Sequence, residues 1–259
     1  MSEELLYEVR DGIGYVTLNR PHARNALTFA MYERLSEVCD EVDADAEVKA
    51  LVLTGAGEKA FAAGTDISQF RAFSGPEDAL GYEARIDRVL SRLEAVKKPT
   101  IAAIAGACTG GGAAIAVACD LRIAAANAVF GVPIARTLGN CLSMSNLSRL
   151  SALIGAARTK ELIFTAKLVG AQDARAIGLV SEVLPDADAL AARSVELAQM
   201  VSGFAPLTLR ATKTALLRLR EATGLPDDQD LIRMCYESAD FREGLEAFLG
   251  KRQAEWRGI

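Results

Sequence analysis

The chain has 259 residues, of which 51% are hydrophobic and 24% charged, and its formal net charge is −5. This length allows one large domain or two small ones, and the apolar share suffices for a sizeable core. The acidic balance argues against nucleic acid and anionic membranes as main partners, because both require patches of excess Lys and Arg. The five cysteines are odd in number and widely spaced, as expected of reduced thiols in a cytoplasmic protein.

The N-terminal residues lack the basic segment and apolar stretch of a signal peptide, and no segment has the apolar length of a membrane span. We therefore expect a cytoplasmic protein without a membrane partner. The single histidine, His22, leaves no His-His metal pair, and no metal site is predicted. His22 follows a proline in a turn-like stretch, so we expect an exposed loop histidine.

The first half of the chain alternates between strand-like and helix-like patterns. A hairpin turn at Asp11-Gly12 joins the first two strands. Strands are predicted at residues 5–10, 13–19, 49–54, 100–105 and 120–125, and helices at residues 28–42, 76–96 and 113–119. This alternation predicts an α/β layered core.

The second half, from about Ser143, is predicted to be almost wholly helical, with one strand at residues 179–184. Residues 206–220, 227–238 and 241–256 carry apolar side chains at helical spacing. They are more numerous than one core face requires, and either subunit packing or a larger core explains them.

A first small-residue loop covers residues 55–67 and directly follows a buried strand. It contains a GxGxxA pattern, but a dinucleotide site would place the third small residue inside a helix. Helix signals appear only at Asp66 and Gln69, which have the spacing of a capping box. The lack of side-chain bulk at residues 62–64 lets a ligand approach the backbone closely. The alternative is a tight strand-to-helix turn.

A second loop, residues 109–112, consists of a threonine and three glycines and opens a predicted helix. Unpaired N–H groups and the helix dipole make this an anion or oxyanion cradle, whereas close helix packing is the alternative explanation for the glycines. No GK[ST] follows the glycines, which argues against a phosphate-binding P-loop. Backbone donors near Gly64-Thr65 and at Gly111 are placed to converge on one oxygen as an oxyanion hole.

In this order along the chain, several motifs resemble the crotonase superfamily of enoyl-CoA hydratases and isomerases. The resemblance covers essentially the whole sequence. The motifs are GIGYVTLNRP from Gly12, RNAL from Arg24, FAAGTDI from Phe61, PTIAAIAG from Pro99, GGG from Gly110, CDLRIA from Cys119, ARAIGLV from Ala174 and the tail from Glu243-Gly244 to Phe248-Leu249.

This resemblance implies an α/β fold, a spiral of ββα units, over residues 1–200 that binds acyl-CoA. A helical region at residues 201–259 would build homotrimers or hexamers. It implies an acyl-CoA thioester substrate, with coenzyme A as part of that substrate and no permanently bound cofactor. The backbone N–H groups of Thr65 and Gly111 would form the oxyanion hole. Lys251 or Arg252 would reach a CoA phosphate from the tail. Substrate and CoA contacts are expected from Arg24, Ala26, Ala62, Ala63, Gly64, Asp66, Ile67, Thr109, Gly110, Ala114, Pro133, Ile134 and Leu138.

The sequence departs from the family at its acid and base positions. Hydratases of this type use two glutamates, and those positions fall on Ala114 and on Ile134 or Ala135. A third position, where some relatives place an aspartate, falls near Ser143, for which a helix N-cap is the alternative role. Side chains that would reach the acyl group are Arg136, Tyr82, Glu83 and Arg85.

Hydration requires both a base and an acid, which contribute about 10²- to 10⁴-fold each. The sequence thus predicts an enzyme of the enoyl-CoA hydratase/isomerase family that stabilises a thioester enolate without the usual glutamates. Alternatives within the fold are decarboxylation, C–C cleavage and thioester hydrolysis. A non-catalytic acyl-CoA-binding protein is the alternative of another class.

Overall fold

Strands and helices alternate along the chain, and the computed structural model describes residues 4–222 and 229–257. The strands are β1 (Leu5–Arg10), β2 (Ile13–Leu18), β3 (Ala50–Gly55), β4 (Ala60–Ala62), β5 (Thr100–Ile104), β6 (Ala107–Thr109), β7 (Leu121–Ala125), β8 (Val129–Gly131), β9 (Val169–Gly170) and β10 (Glu182–Leu184). The α-helices are α1 (Phe29–Ala44), α2 (Pro76–Glu94), α3 (Gly111–Ala118), α4 (Ile134–Thr137), α5 (Met144–Phe164), α6 (Ala171–Ala176), α7 (Ala187–Ser202), α8 (Pro206–Glu221), α9 (Gln229–Tyr236) and α10 (Ala239–Leu249). Short 3₁₀ turns lie at Pro21–Ala23 and Ile67–Ala72.

Each repeating unit contributes one strand to each of two sheets. One sheet has the order β1-β2-β3-β5-β7-β10 and is parallel apart from the β1–β2 hairpin. The other has the order β4-β6-β8-β9, with β4, β6 and β8 parallel. Each ββα turn therefore adds one strand to each sheet, which confirms the predicted α/β spiral.

The core lies on both faces of the larger sheet. Val16, Leu51 and Leu53 point to the face covered by α1, α2 and α3. Ile13, Val52, Ile101 and Ile123 point to the opposite face, where Leu190 and Leu197 of α7 cover them. Burial on both faces explains why these strands have nearly continuous apolar sequences.

The C-terminal region contacts the spiral through α9 on α2 and through α10 on the 3₁₀ turn at Ile67–Ala72. In contrast, α8 has no buried residue. It is tied to the core by Lys213, which lies 2.7 Å from Asp120, and by an ion pair of Arg220 with Glu94. The predicted boundary between residues 200 and 201 stays a prediction.

Differences from the predicted elements lie mainly at their ends. The strands β4, β6, β8 and β9 were not predicted, because two or three residues are too few to show a strand periodicity. The helix predicted over residues 241–256 ends at Leu249, where Lys251 has a φ of +52° and the N–H of Arg252 bonds to the carbonyl of Ala247. Of the helix predicted over 227–238, residues 227 and 228 lie outside the described residues.

Local hydrogen bonds explain the other differences from the predicted elements. The strand predicted from residue 179 starts at Glu182, since the N–H of Leu179 bonds to the carbonyl of Ala174. The predicted capping box is wrong: the Asp66 side chain accepts the N–H of Ser68, whereas the Gln69 side chain accepts the N–H of Phe29.

Among residues 4–222 and 229–257, no helix combines the length and apolar content needed to cross a bilayer. The same residues contain no group of three or more His, Cys, Asp or Glu side chains suited to holding a metal ion. No disulfide joins the five cysteines, and Cys39, Cys108 and Cys119 are buried. His22 is exposed in its 3₁₀ turn, as predicted.

The packing of α3 on β4 predicts opposite effects for two Gly→Ala substitutions. A Cβ at Gly112 would lie 2.3 Å from the carbonyl oxygen of Ala62, whereas a Cβ at Gly81, an exposed position of α2, would contact nothing within 4 Å. We expect Gly112→Ala to lower the free energy of unfolding by about 2–3 kcal/mol. Gly81→Ala should raise it by about 0.5–1 kcal/mol. Urea unfolding measures both, and equal stability of the two variants would contradict the close packing.

The ion cluster at Glu94 predicts a pH-dependent contribution to stability. Burial alone would raise the pKa of Glu94, but Arg220 and Arg149 together lower it below its usual value. The cluster therefore stabilises the fold above the unfolded pKa of about 4.3 and loses that contribution as the pH falls through the lower folded pKa. We expect Glu94→Gln to cost about 2–3 kcal/mol at pH 7 and progressively less in acid.

Urea unfolding at pH 7, 5 and 3.5 measures this difference. The matched control is Glu161→Gln, which removes an exposed carboxylate paired with Arg158. The control should match the wild type at each pH, and a Glu94→Gln difference that does not shrink in acid would refute the assignment.

Candidate active site

A buried asparagine fixes the turn that precedes α1. Asn25 has a φ of +53°, and its side-chain amide donates to the carbonyls of Ala60 at 2.7 Å and Ala56 at 3.1 Å. Its side-chain oxygen accepts the N–H of Arg20 at 3.0 Å. Asn25 thereby attaches the turn at residues 20–27 to the connection between β3 and β4.

The loop after β4 pairs with this turn. The N–H of Leu27 donates to the carbonyl of Gly64, and the N–H of Asp66 donates to the carbonyl of Leu27, both at 2.8 Å. Because Leu27 bonds to the residues on either side of Thr65, the N–H of Thr65 faces away from the turn. The N–H of Ala63 bonds to the carbonyl of Arg24 at 3.0 Å.

The residues after Gly55 form β4 and not a helix, so the dinucleotide alternative is wrong.

The triple glycine occupies the first turn of α3. Gly110 precedes the helix with a φ of +51°, a backbone conformation that favours glycine, and its carbonyl accepts the N–H of Ala114. The helix begins at Gly111, two residues earlier than predicted. The N–H of Gly111 thus belongs to the first turn, where N–H groups have no intrahelical acceptor and the helix dipole favours negative charge.

The two glycine loops are in direct contact. A Cβ at Gly110 would lie 3.5 Å from the Cα of Gly64. At Gly111, a Cβ would lie 3.0 Å from Oγ1 of Thr65 and only 2.2 Å from the hydroxyl oxygen of Tyr32. Side chains are excluded here, and the structure brings together the two loops on which the oxyanion-hole prediction depends.

A chain of three hydroxyl groups lies beside this contact. Oγ1 of Thr65 is 3.0 Å from the hydroxyl oxygen of Tyr32 and 2.9 Å from that of Tyr82. Burial raises the pKa of both tyrosines well above the usual value. Both phenols are neutral at physiological pH, as tyrosines ordinarily are, so the two groups that bond to Oγ1 of Thr65 are polar and uncharged.

Several residues predicted to contact CoA lie in β4, in the two glycine loops and in the turn that precedes α1. Arg24 is exposed, Ala26 accepts a hydrogen bond from Arg20, and Ala62 is buried in β4. Asp66 also bonds to Arg20 at 3.0 Å. The remaining predicted contacts in these loops are Ala63, Gly64, Ile67, Thr109 and Gly110.

The positions of the two hydratase glutamates are apolar in the structure. Ala114 and Ile134 are partly buried and pack against the main core. Pro133 is the N-cap of α4, while Arg136 is exposed. Leu138 is buried in a separate cluster with residues of α9 and α10, away from the main core.

Ser143 fulfils the alternative structural role considered for it. It is the N-cap of α5, with its Oγ accepting the N–H of Asn146. The same hydroxyl donates to Asp87 of α2 at 2.8 Å. A carboxylate therefore lies beside Ser143, but it comes from Asp87 of α2 and not from the segment that holds Ser143.

Sequence reasoning missed Asn25, Tyr32 and Asp87. Asn25 lies within the RNAL motif, which was the one available signal. The other two residues belong to ordinary amphipathic helices and gain their partners only through the tertiary fold.

Comparisons with known proteins indicate the family of this chain. Residues 8–258 match the family model described as enoyl-CoA hydratase/isomerase. The Bacillus subtilis protein YngF, whose name places it among enoyl-CoA hydratases/isomerases, is 38% identical over 263 residues, covering 100% of both chains.

Two solved structures cover nearly all of the chain. The structure of an enoyl-CoA hydratase/carnithine racemase from Magnetospirillum magneticum is 32% identical, with a TM-score of 0.82, and the match covers 100% of this chain and 97% of that one. A methylmalonyl-CoA decarboxylase in complex with 2-nitronate-propionyl-CoA is 28% identical, with a TM-score of 0.91 and 99% coverage of both chains. The match along the whole sequence and the shared fold lead to one conclusion: the chain belongs to the enoyl-CoA hydratase/isomerase family, as the resemblance implied.

Proposed function

We propose that this protein decarboxylates a malonyl-type acyl-CoA, with the N–H groups of Thr65 and Gly111 binding the thioester oxygen of the enolate. One observation carries the proposal. The two donor loops meet through glycines, whereas Ala114 and either Ile134 or Ala135 fall at the positions of the hydratase glutamates.

The chemistry of decarboxylation matches this set of residues. The C–CO₂ bond breaks, its electron pair passes into the thioester, and the enolate oxygen becomes negative. One well-placed oxyanion donor stabilises such a transition state by about 3–4 kcal/mol. No base is needed to form the enolate, in contrast with hydration, which requires a base to activate water.

The similarity to known structures also supports this reaction. The methylmalonyl-CoA decarboxylase complex has a TM-score of 0.91, compared with 0.82 for the Magnetospirillum protein. In this proposal the hydroxyl of Thr65 contacts the carboxylate that is lost. Its neighbours Tyr32 and Tyr82 supply hydroxyl groups to Oγ1 of Thr65 and carry no positive charge for that carboxylate.

Coenzyme A enters this proposal as part of the substrate, with no resident cofactor. Its adenine and pantetheine would follow the backbone of residues 62–67 and the turn ending at Ala26. The exposed Arg24 is available for a phosphate. Arg252 is a weaker candidate than in the sequence analysis, since it already pairs with Glu243.

Hydration or isomerisation is the second candidate, favoured by the name of the Bacillus subtilis relative. A panel of methylmalonyl-CoA, crotonyl-CoA and a 3-enoyl-CoA separates the candidates. We expect loss of CO₂ from methylmalonyl-CoA, detected by mass, and little change in the absorbance of crotonyl-CoA. Rapid hydration of crotonyl-CoA would contradict the proposal, and binding of all three without turnover would favour a non-catalytic acyl-CoA-binding protein.

We also propose that α8 forms a contact between copies of this chain in a trimer or hexamer. Its leucines Leu207, Leu216 and Leu219 are 76%, 62% and 70% exposed. Neighbouring Phe204 is also exposed. This number of exposed large apolar side chains on one helix is typical of an interface.

Light scattering after gel filtration tests this assembly. The wild type should have the mass of a trimer or hexamer, and Leu216→Glu combined with Leu219→Glu should shift it to the monomer. Glu161→Gln, at an exposed position of α5, serves as the control. A monomeric wild type would refute the proposal.

A further inference from the structure

Glu83 on α2 is a buried carboxylate close to the candidate site. It is 6% exposed and is the one acidic residue among the buried residues that the structure describes. Its Oε1 accepts a hydrogen bond from the hydroxyl of Tyr236, on α9, at 2.6 Å. The amide of Asn140 donates to the same hydroxyl oxygen at 3.2 Å, which leaves the phenol proton directed at Glu83. Burying a carboxylate is costly, so this arrangement invites a functional explanation.

The Glu83–Tyr236 pair is connected to the Thr65 loop by aromatic packing. Tyr82, adjacent to Glu83 in sequence, bonds through its hydroxyl to Thr65 at 2.9 Å. The ring of Tyr82 lies 4.8 Å from that of Phe70, and the ring of Tyr236 lies 4.6 Å from that of Phe241. When Glu83 is ionised, its charge also contributes, after burial, to the raised pKa values of Tyr32 and Tyr82. Glu83 therefore acts electrostatically on the hydroxyl groups beside Thr65 and Gly111.

The pair also has a route to solvent. Tyr236 lines a surface cavity of about 380 Å³ together with Phe73, Ser74 and Arg242. A group that delivers a proton in each catalytic cycle must recover one from water, and this cavity opens beside Tyr236. The pair thus has a solvent-filled cavity next to one of its two members.

We propose that the Glu83–Tyr236 pair is the proton donor of the site, replacing the glutamates absent at Ala114 and Ile134. This inference rests on the proposed enolate chemistry. After CO₂ leaves, the enolate electron pair forms a C–H bond with a proton carried by the Glu83 carboxyl group, whose O–H bond breaks, and the Tyr236 hydroxyl bonds to the carboxylate that remains. The carboxylate then takes a proton from water, and the hydroxide left behind combines with CO₂ as bicarbonate, so the step needs no further reactant. In the reverse direction, the carboxylate removes an α-proton.

Hydrogen–deuterium exchange at the α-carbon of propionyl-CoA in D₂O tests this role, with mass and NMR detection. The wild type should exchange the α-protons. Glu83→Gln keeps the shape of the side chain and an acceptor for Tyr236, and should exchange at least about 100-fold more slowly. Its affinity for propionyl-CoA, measured by calorimetry, should stay within twofold, because the thioester-binding N–H groups are unchanged.

Two further variants separate chemistry from folding. Tyr236→Phe retains the ring and Glu83, and should also slow exchange. Glu94→Gln, on the same helix, should lower stability but leave the exchange rate unchanged. Unchanged exchange in Glu83→Gln would overturn the inference, as would a loss of exchange matched by an equal loss of propionyl-CoA binding.

The outcome also distinguishes this inference from the proposed function. Wild-type loss of CO₂ from methylmalonyl-CoA, combined with normal exchange in Glu83→Gln, would reject only the proton donor. Failure of the wild type to bind propionyl-CoA would reject both.

Discussion

The arrangement of the site depends on the close approach of two backbone segments, one after β4 and one at the start of α3. Small residues make this approach close. A Cβ on Gly110 would lie 3.5 Å from the Cα of Gly64, and a Cβ on Gly112 would meet the carbonyl of Ala62 at 2.3 Å. The glycines therefore define where two successive turns of the spiral touch, and this contact determines where Thr65, Tyr32 and the beginning of α3 lie relative to one another.

The groups that bond directly to Thr65 are neutral hydroxyls, and Glu83, the one buried carboxylate in the part of the chain that the structure describes, is next in sequence to Tyr82. Tyr32 and Tyr82 are protonated at neutral pH, and burial raises their pKa values further. The charged Arg20–Asp66 pair lies at the edge of the same loop. An anion forming at the centre would thus be stabilised by fixed N–H groups in a region of low dielectric, where such interactions are stronger than in water.

The sequence predicted the features that depend on local pattern. The long strands and helices, the two glycine loops and the apolar residues at both glutamate positions could all be read from spacing and motif. The residue pairs that give the site its polar chemistry could not be predicted from the sequence. Tyr236 and Glu83 are 153 residues apart, and Ser143 and Asp87 are 56 residues apart. No periodicity links such residues, and each looks like an ordinary helical position until the fold brings it to its partner.

The four-stranded sheet has a consequence for how this fold diversifies. Thr65, Gly111 and Pro133 follow β4, β6 and β8, which are parallel neighbours, so their carboxyl ends meet at one edge. The first two ends hold the glycine contact, whereas the third leads through Pro133 into α4. A substitution in α4 can therefore change the side chains at this edge while the glycine contact keeps its geometry. Holding two backbone segments together and presenting side chains are thus separable tasks of one small sheet.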